Sequence, residues 1–150
     1  MIQLVRADSG DLDFIELVRQ LDVELSQRDG DEHPFYAQFN KIDKIRHVVV
    51  AYDSGQPAGC GAIKEYAPGV MEIKRMFTRP QSRGRGIAST VLCELETWAG
   101  ELAYKKCILE TGKKQEEAIG LYKKNGYALI PNFGQYAGIE NSVCFEKELA

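Results

Sequence analysis

Residues 83–89 read Arg-Gly-Arg-Gly-Ile-Ala-Ser, and they stand at a junction. Before them lies Val70–Thr78, a run of strand-forming residues that is stopped by Pro80. After them Ile87, Val91, Leu95, Trp98 and Leu102 recur at spacings of three and four, which predicts an amphipathic helix from about Gly86 to Leu102. The order is therefore strand, glycine-rich loop, helix. A helix start carries unpaired backbone N–H groups and a partial positive charge, and anions bind there readily. Gly84 and Gly86 let the backbone approach a ligand without a Cβ in the way, and Arg83 and Arg85 add charge-assisted donors. The loop is a candidate phosphate seat. It is not a Walker loop, and it lacks the third glycine of a dinucleotide fingerprint, since Ser89 stands where that glycine would be.

The remaining elements surround this junction. Residues 1–7 form a short strand. Leu12, Ile15, Val18, Leu21 and Leu25, with Phe14 and Leu17 beside them, predict a helix that Gly30 and Pro34 bring to an end. Residues 35–45 predict a second, shorter helix. Residues 47–79 alternate β-rich runs with turns at 53–56 and 67–69, a three-stranded meander. A strand over 105–111, a helix over 114–126 that stops at Asn125-Gly126, a short strand over 127–131 and a final strand over 143–149 complete the chain. The pattern is α+β, or mixed α/β, and the 150 residues read as one domain over 1–150.

Composition excludes several partners. The formal net charge is −3, so no global positive field draws the chain to nucleic acid or anionic lipid. The first residues lack a secretory apolar segment and no apolar run nears a membrane span, so a cytoplasmic location is expected. Cys60, Cys93, Cys107 and Cys144 form no C-x-x-C pair and no metal-like spacing with His33 or His47. They are expected to be buried reduced thiols, with no metal bound. His47 reads as structural, Trp98 as core, and Lys74 and Arg75 as solvated strand charges.

Two motifs carry a resemblance. Gln81-x-x-Gly84-x-Gly86 and Arg83-x-x-Gly86-x-Ala88 both fit the signature Arg/Gln-x-x-Gly-x-Gly/Ala, and the second register better matches the strand-to-helix spacing. About 30 residues on, "CILETGKKQEEAIGLYKKNGY" holds an A-I-x-L-Y-x-x-x-G-Y block. Together, and in this order of elements, they resemble the Gcn5-related N-acetyltransferases, with Gln115 standing where many relatives carry Asn.

The resemblance implies a central, largely antiparallel sheet whose middle strands splay apart around acetyl-CoA, flanked by helices. It implies that the backbone of Met76, Phe77 and Thr78 pairs with the pantetheine arm, one N–H polarising the thioester carbonyl. The N–H groups of Arg83, Gly84, Arg85, Gly86, Ile87, Ala88 and Ser89 would hold the pyrophosphate, with Gln115 in reach of the cofactor. Arg79, Lys113 and Lys124 are alternatives for the 3′-phosphate. Many relatives pair into dimers, so a homodimer is compatible with it.

The implied reaction sets chemical demands. An alkyl ammonium must lose a proton before it attacks, and the departing thiolate must gain one. Tyr122, in "AIGLY", occupies the position of the family's thiolate-protonating tyrosine and also borders the cofactor. Glu72 is the first choice for the base, with Glu110 and ordered water as rivals. Phe35, Tyr36, Phe133 and Tyr136 are candidates for the acceptor pocket, and Asp31 or Glu32 for attracting a cationic amine. The expected function is acetyl transfer to the primary amine of a small molecule or amino acid. The alternatives are a protein N-terminal or lysine acetyltransferase and a catalytically silent coenzyme A-binding module.

Overall fold

In the second strand, Val48 and Val50 face one way, Val49 and Ala51 the other, and all four are buried. A strand can be apolar on both faces only when something covers each face. The computed structural model, which describes residues 1–29 and 45–149, shows what does. Helix α1 (Leu12–Asp29) covers one face, and helices α2 (Ile87–Glu101) and α3 (Glu116–Lys124) lie on the other. Between the layers runs a seven-stranded mixed sheet in the order β1-β2-β3-β4-β5-β7-β6. Its strands are β1 (Ile2–Ala7), β2 (His47–Asp53), β3 (Gln56–Ala67), β4 (Val70–Thr78), β5 (Lys106–Gly112), β6 (Ala128–Ile130) and β7 (Ser142–Glu148). Every pairing is antiparallel except β4 with β5. The expected fold class and order of elements are thus observed. The short helix expected over 35–45 lies, but for Ile45, outside the described residues.

Local chemistry fixes the helix ends. Asp11 caps α1, its Oδ1 accepting from the Phe14 N–H at 2.9 Å. The buried stripe of α1 is Phe14, Leu17, Val18 and Leu21. Leu12 and Ile15, expected on the core stripe, are exposed, Leu12 by 81%. Both stripes satisfy a period of 3.6, and the sheet selects the one that carries the aromatic ring. At the end of α3 the Tyr127 N–H reaches the Tyr122 carbonyl (3.0 Å) and the Gly126 N–H reaches that of Lys123 (3.2 Å). With Gly126 at φ 92°, this is a Schellman closure.

Two features of the middle strands position the site. The first is a gap. β4 pairs with β5 only at Val70–Lys106, Met71–Cys107 and Glu72–Ile108. Beyond Glu72, β4 has no ladder partner on that side among the described residues, while β5 continues against β7 as far as Gly112. The strands splay into a wedge. The second is a bulge. Ala62 pairs with Lys74 and Cys60 with Phe77, so Arg75 and Met76 together oppose Gly61. Arg75 adopts φ 62°, a left-handed conformation that costs a non-glycine residue about 1–3 kcal/mol. Gly61 leaves room here: a Cβ would stand 2.5 Å from the Met76 sulfur and 2.8 Å from Leu95 Cδ1, so those side chains would have to shift.

Candidate active site

The loop after β4 is built around backbone conformation. Gly84 and Gly86 have φ of 79° and 78°, and an added Cβ at either would meet nothing within 4 Å. Their requirement for glycine is conformational, not steric. Gly86 is the N-cap of α2, its carbonyl accepting from the Thr90 N–H at 3.1 Å. The N–H groups of Ile87, Ala88 and Ser89 belong to the first turn and have no intrahelical acceptor. Successive amides preceded by left-handed glycines form a concave nest suited to an anion. The Arg83 N–H, expected in this set, instead donates to the Pro80 carbonyl at 3.3 Å, closing the short 3-10 turn Pro80–Ser82.

The arginine side chains brace the loop. Arg83 Nε donates to the Thr78 carbonyl (2.9 Å) and Nη2 to Glu24 Oε2 (2.6 Å), and its guanidinium lies 5.8 Å from the Phe77 ring centre. It ties the loop to the end of β4 and to α1. Arg85 pairs with Asp53. Asn125 Nδ2 donates to Ser89 Oγ at 3.2 Å, joining the end of α3 to the start of α2. These anchors hold the amide nest in place from three directions.

A groove of about 340 Å³ runs from this nest into the wedge. Met76, Phe77, Thr78, Arg83, Gly84, Gly86, Ile87, Ala88, Ser89, Gln115 and Tyr122 all line it. The expected coenzyme residues are therefore brought together, apart from Arg85, which points to Asp53. Gln115 is the N-cap of α3 without a side-chain capping bond. The buried Thr78 hydroxyl has no hydrogen-bond partner among the described residues, an orphaned polar atom in the groove wall. Among the three cations weighed for a 3′-phosphate, Lys124 lines the groove, whereas Arg79 donates to the Pro57 carbonyl at 3.1 Å. A concave amide nest, an open strand edge and an orphaned hydroxyl fit a long, phosphate-bearing cofactor. No helix among the described residues is long and apolar enough to cross a membrane, and no described His, Cys, Asp or Glu cluster could hold a metal ion.

The groove opens on a second cavity of about 110 Å³. Both are lined by Leu21, Met76, Gln115, Ala118 and Tyr122. The inner cavity adds Glu72, Lys74, Arg75, Glu110 and Tyr136. Glu72 is 8% exposed, and burial raises its carboxyl above the usual range against the pull of Lys74, whose Nζ lies 3.6 Å from Oε2. Tyr122 is buried where both spaces meet, and its ring packs edge-on to Tyr127 and tilted against Phe145. Burial, then Glu110, raises its phenol well above the ordinary value, so it remains protonated at neutral pH. Tyr136 is raised by burial and by the Glu110 and Glu72 carboxylates, which places the three groups in one neighbourhood. Phe133 stacks edge-on against Tyr136 and Tyr66 behind this wall rather than lining the cavity. Phe35, Tyr36, Asp31 and Glu32 lie outside the described residues.

The expectation for Arg75 is corrected. Read as a solvated strand charge, it is buried, with its side chain 2% exposed. Nη1 reaches Asp22 Oδ1 at 3.3 Å, while Nε and Nη2 have no partner among the described residues. Leaving such donors unpaired costs at least about 1–3 kcal/mol. The sequence carried one signal: adjacent charges at Lys74 and Arg75 interrupt the alternation of an otherwise half-apolar strand. Lys74 too is only partly exposed and paired with Glu72. Asp22 and Glu24, which hold Arg75 and Arg83, carry no local signal in the sequence, because they sit more than fifty residues away on α1.

The cysteines divide. Cys60, Cys107 and Cys144 are buried and Cys93 is exposed, contrary to the expectation of burial for all four, and none is in a disulfide. Burial pushes the thiols of Cys60 and Cys107 up to about 12 and that of Cys144 to about 11, which leaves them protonated and poor nucleophiles. His47 is structural as expected, its ring 4.8 Å from that of Trp98. Trp98, expected in the core, is only partly buried: it packs against the core's edge, with Arg6 over its ring.

Comparison with known proteins agrees with this geometry. The model of the acetyltransferase (GNAT) family matches residues 14–127. A protein of Azospirillum brasilense named IAA acetyltransferase is 35% identical over 142 residues, covering 89% of this chain and 92% of its own. An uncharacterized N-acetyltransferase of Bacillus subtilis is 35% identical over 101 residues, covering 66% and 67%. The crystal structure of a Klebsiella pneumoniae protein, provisionally named an acyl-CoA N-acyltransferase, superposes with a TM-score of 0.84 at 31% identity, covering 100% of this chain and 99% of that one. An N-acetyltransferase of Thermoplasma acidophilum solved with coenzyme A shares the fold at a TM-score of 0.71 and 17% identity, covering 99% of each chain. The splayed wedge, the amide nest and these relatives lead to one assignment: the chain belongs to the GNAT family, which uses acetyl-CoA, and is an N-acetyltransferase.

Proposed function

We propose that the chain transfers an acetyl group from acetyl-CoA to the primary amine of a small molecule, by direct attack while both are bound. The observation that carries this reading is the shared wall. The groove below the amide nest and the acid-lined cavity meet at Met76, Gln115 and Tyr122, so two ligands can lie end to end. The cavity's modest volume suits a compact acceptor, and the relative named IAA acetyltransferase points the same way.

Acetyl-CoA supplies an acetyl group activated as a thioester. The chain's own residues do the rest. The N–H groups of Gly84 through Ser89 bind the pyrophosphate. The open edge of β4 at Met76, Phe77 and Thr78 holds the pantetheine arm and offers an N–H to the carbonyl oxygen. Glu72, with its raised carboxyl pKa, takes the ammonium proton directly or through water. Tyr122 holds a proton at its phenol oxygen for the leaving sulfur. A covalent cysteine route has no support: burial keeps the thiols of Cys60, Cys107 and Cys144 protonated, and the exposed Cys93 lines neither the groove nor the cavity.

The test is a panel of small amines with acetyl-CoA, followed by release of free thiol. At least one amine is expected to give turnover well above the hydrolysis of acetyl-CoA alone. Tight coenzyme A binding without turnover on any amine would favour a silent binding module instead.

A further inference from the structure

Arg75 poses a problem that the transfer reaction leaves unsolved. Arg75 lines the acceptor cavity but not the coenzyme groove, and its side chain is buried. Asp22, itself 48% exposed, engages only Nη1, at 3.3 Å. The two nitrogens left without partners among the described residues, Nε and Nη2, are the pair that share one edge of the guanidinium. Their N–H bonds run parallel, and that edge matches the two oxygens of a carboxylate. The fold also invests in this placement. The two-for-one bulge gives Arg75 its left-handed backbone and brings its side chain to the α1 side, beside Asp22.

The charges around the cavity are mixed. Glu72 and Glu110 supply negative charge and Lys74 sits against Glu72, while the Arg75 fork is unused by the described residues. A plain alkyl amine would use the carboxylates and leave that fork unsatisfied. An acceptor with a carboxylate near its amine would use both.

We infer that the acceptor is an amino acid or a closely related amino carboxylate, and that Arg75 binds its carboxylate through the Nε–Nη2 edge. This inference rests on the amine-acceptor reading above. The fork is closed to bulk water before binding, so the acceptor's carboxylate meets it as the side chain adjusts, a rotamer-scale change common at binding sites. Bidentate, desolvated recognition of this kind discriminates strongly against a neutral analogue, because the analogue leaves buried donors unpaired.

Matched pairs test it: a series of amino acids and their primary amides, with kcat and KM referred to the unprotonated amine. Wild type is expected to favour the acid over its amide by about 100-fold or more in kcat/KM. In Arg75→Gln that ratio falls to within a few-fold of one, through KM for the acid. Arg75→Lys, which keeps the charge without the fork, gives an intermediate ratio. A merely structural Arg75 would depress acid and amide alike and leave the ratio intact, which overturns the proposal. Wild type that uses amides as well as acids overturns it too, while the amine-acceptor reading stands. Turnover on no amine at all defeats both. Should Arg75→Gln fail to fold, the wild-type ratio and Arg75→Lys decide.

Discussion

The coenzyme groove and the acceptor cavity share five residues, yet they are made differently. The groove is mostly backbone: left-handed glycines, a helix start and a strand edge without a partner. The cavity is mostly side chains from β4, β5, α1, α3 and the loop before β7: Glu72, Arg75, Glu110, Leu21, Tyr122 and Tyr136. Backbone donors recognise what every acetyl-CoA carries. Side chains recognise what one acceptor carries. The difference separates a general cofactor seat from a specific acceptor site within one continuous opening.

Variants should respect that division. The largest expected effect is at Tyr122. Tyr122→Phe removes the proton for the leaving sulfur and lowers kcat about 1000-fold, with KM for acetyl-CoA little altered, as steady-state kinetics will show. Next is Glu72→Gln, expected to lower kcat/KM for the amine about 100-fold. Burial raises the Glu72 carboxyl, so the protonated, inactive form persists to a pH above the usual carboxylate range of about 4.3. Wild-type kcat/KM therefore falls as pH drops through that raised value, and the limb disappears in Glu72→Gln. An unchanged limb would move the base to Glu110 or water.

The groove should answer to conformation. Gly86→Ala adds a methyl that meets nothing, so its effect comes from forcing φ 78° on alanine, about 1–2 kcal/mol. Coupled to the amide nest, that raises KM for acetyl-CoA roughly 10-fold and leaves the ranking of acceptors alone. The smallest effect is expected for Arg85→Ala. Its guanidinium is half-exposed and paired with Asp53, so KM for acetyl-CoA should change by less than about twofold. A large rise would show that the arginine, rather than the backbone, holds the phosphates.

The same division explains what the sequence disclosed. Arg83 to Ser89 were legible because left-handed turns and helix starts have residue signatures: glycine, then an apolar period of three to four. The strand order up to β4 was legible for similar reasons. Arg75 was not, because a bulge has no composition of its own. One extra residue between the Lys74 and Phe77 pairings reverses which face the side chain takes. The insertion of β7 between β5 and β6 was also hidden, since it depends on long-range pairing of Lys106–Gly112 with Ser142–Glu148. The stripe on α1 shows a third limit: Leu12–Ile15 and Phe14–Val18 keep similar periods, and only the sheet decides between them.

Direct transfer requires the groove and the cavity to be filled together, and initial-velocity kinetics test that most directly. Rates measured against the amine at several fixed acetyl-CoA concentrations should give intersecting double-reciprocal lines, the pattern of a ternary complex. Parallel lines, with acetyl-enzyme trapped in the absence of amine, would contradict the account and return the buried cysteines to consideration.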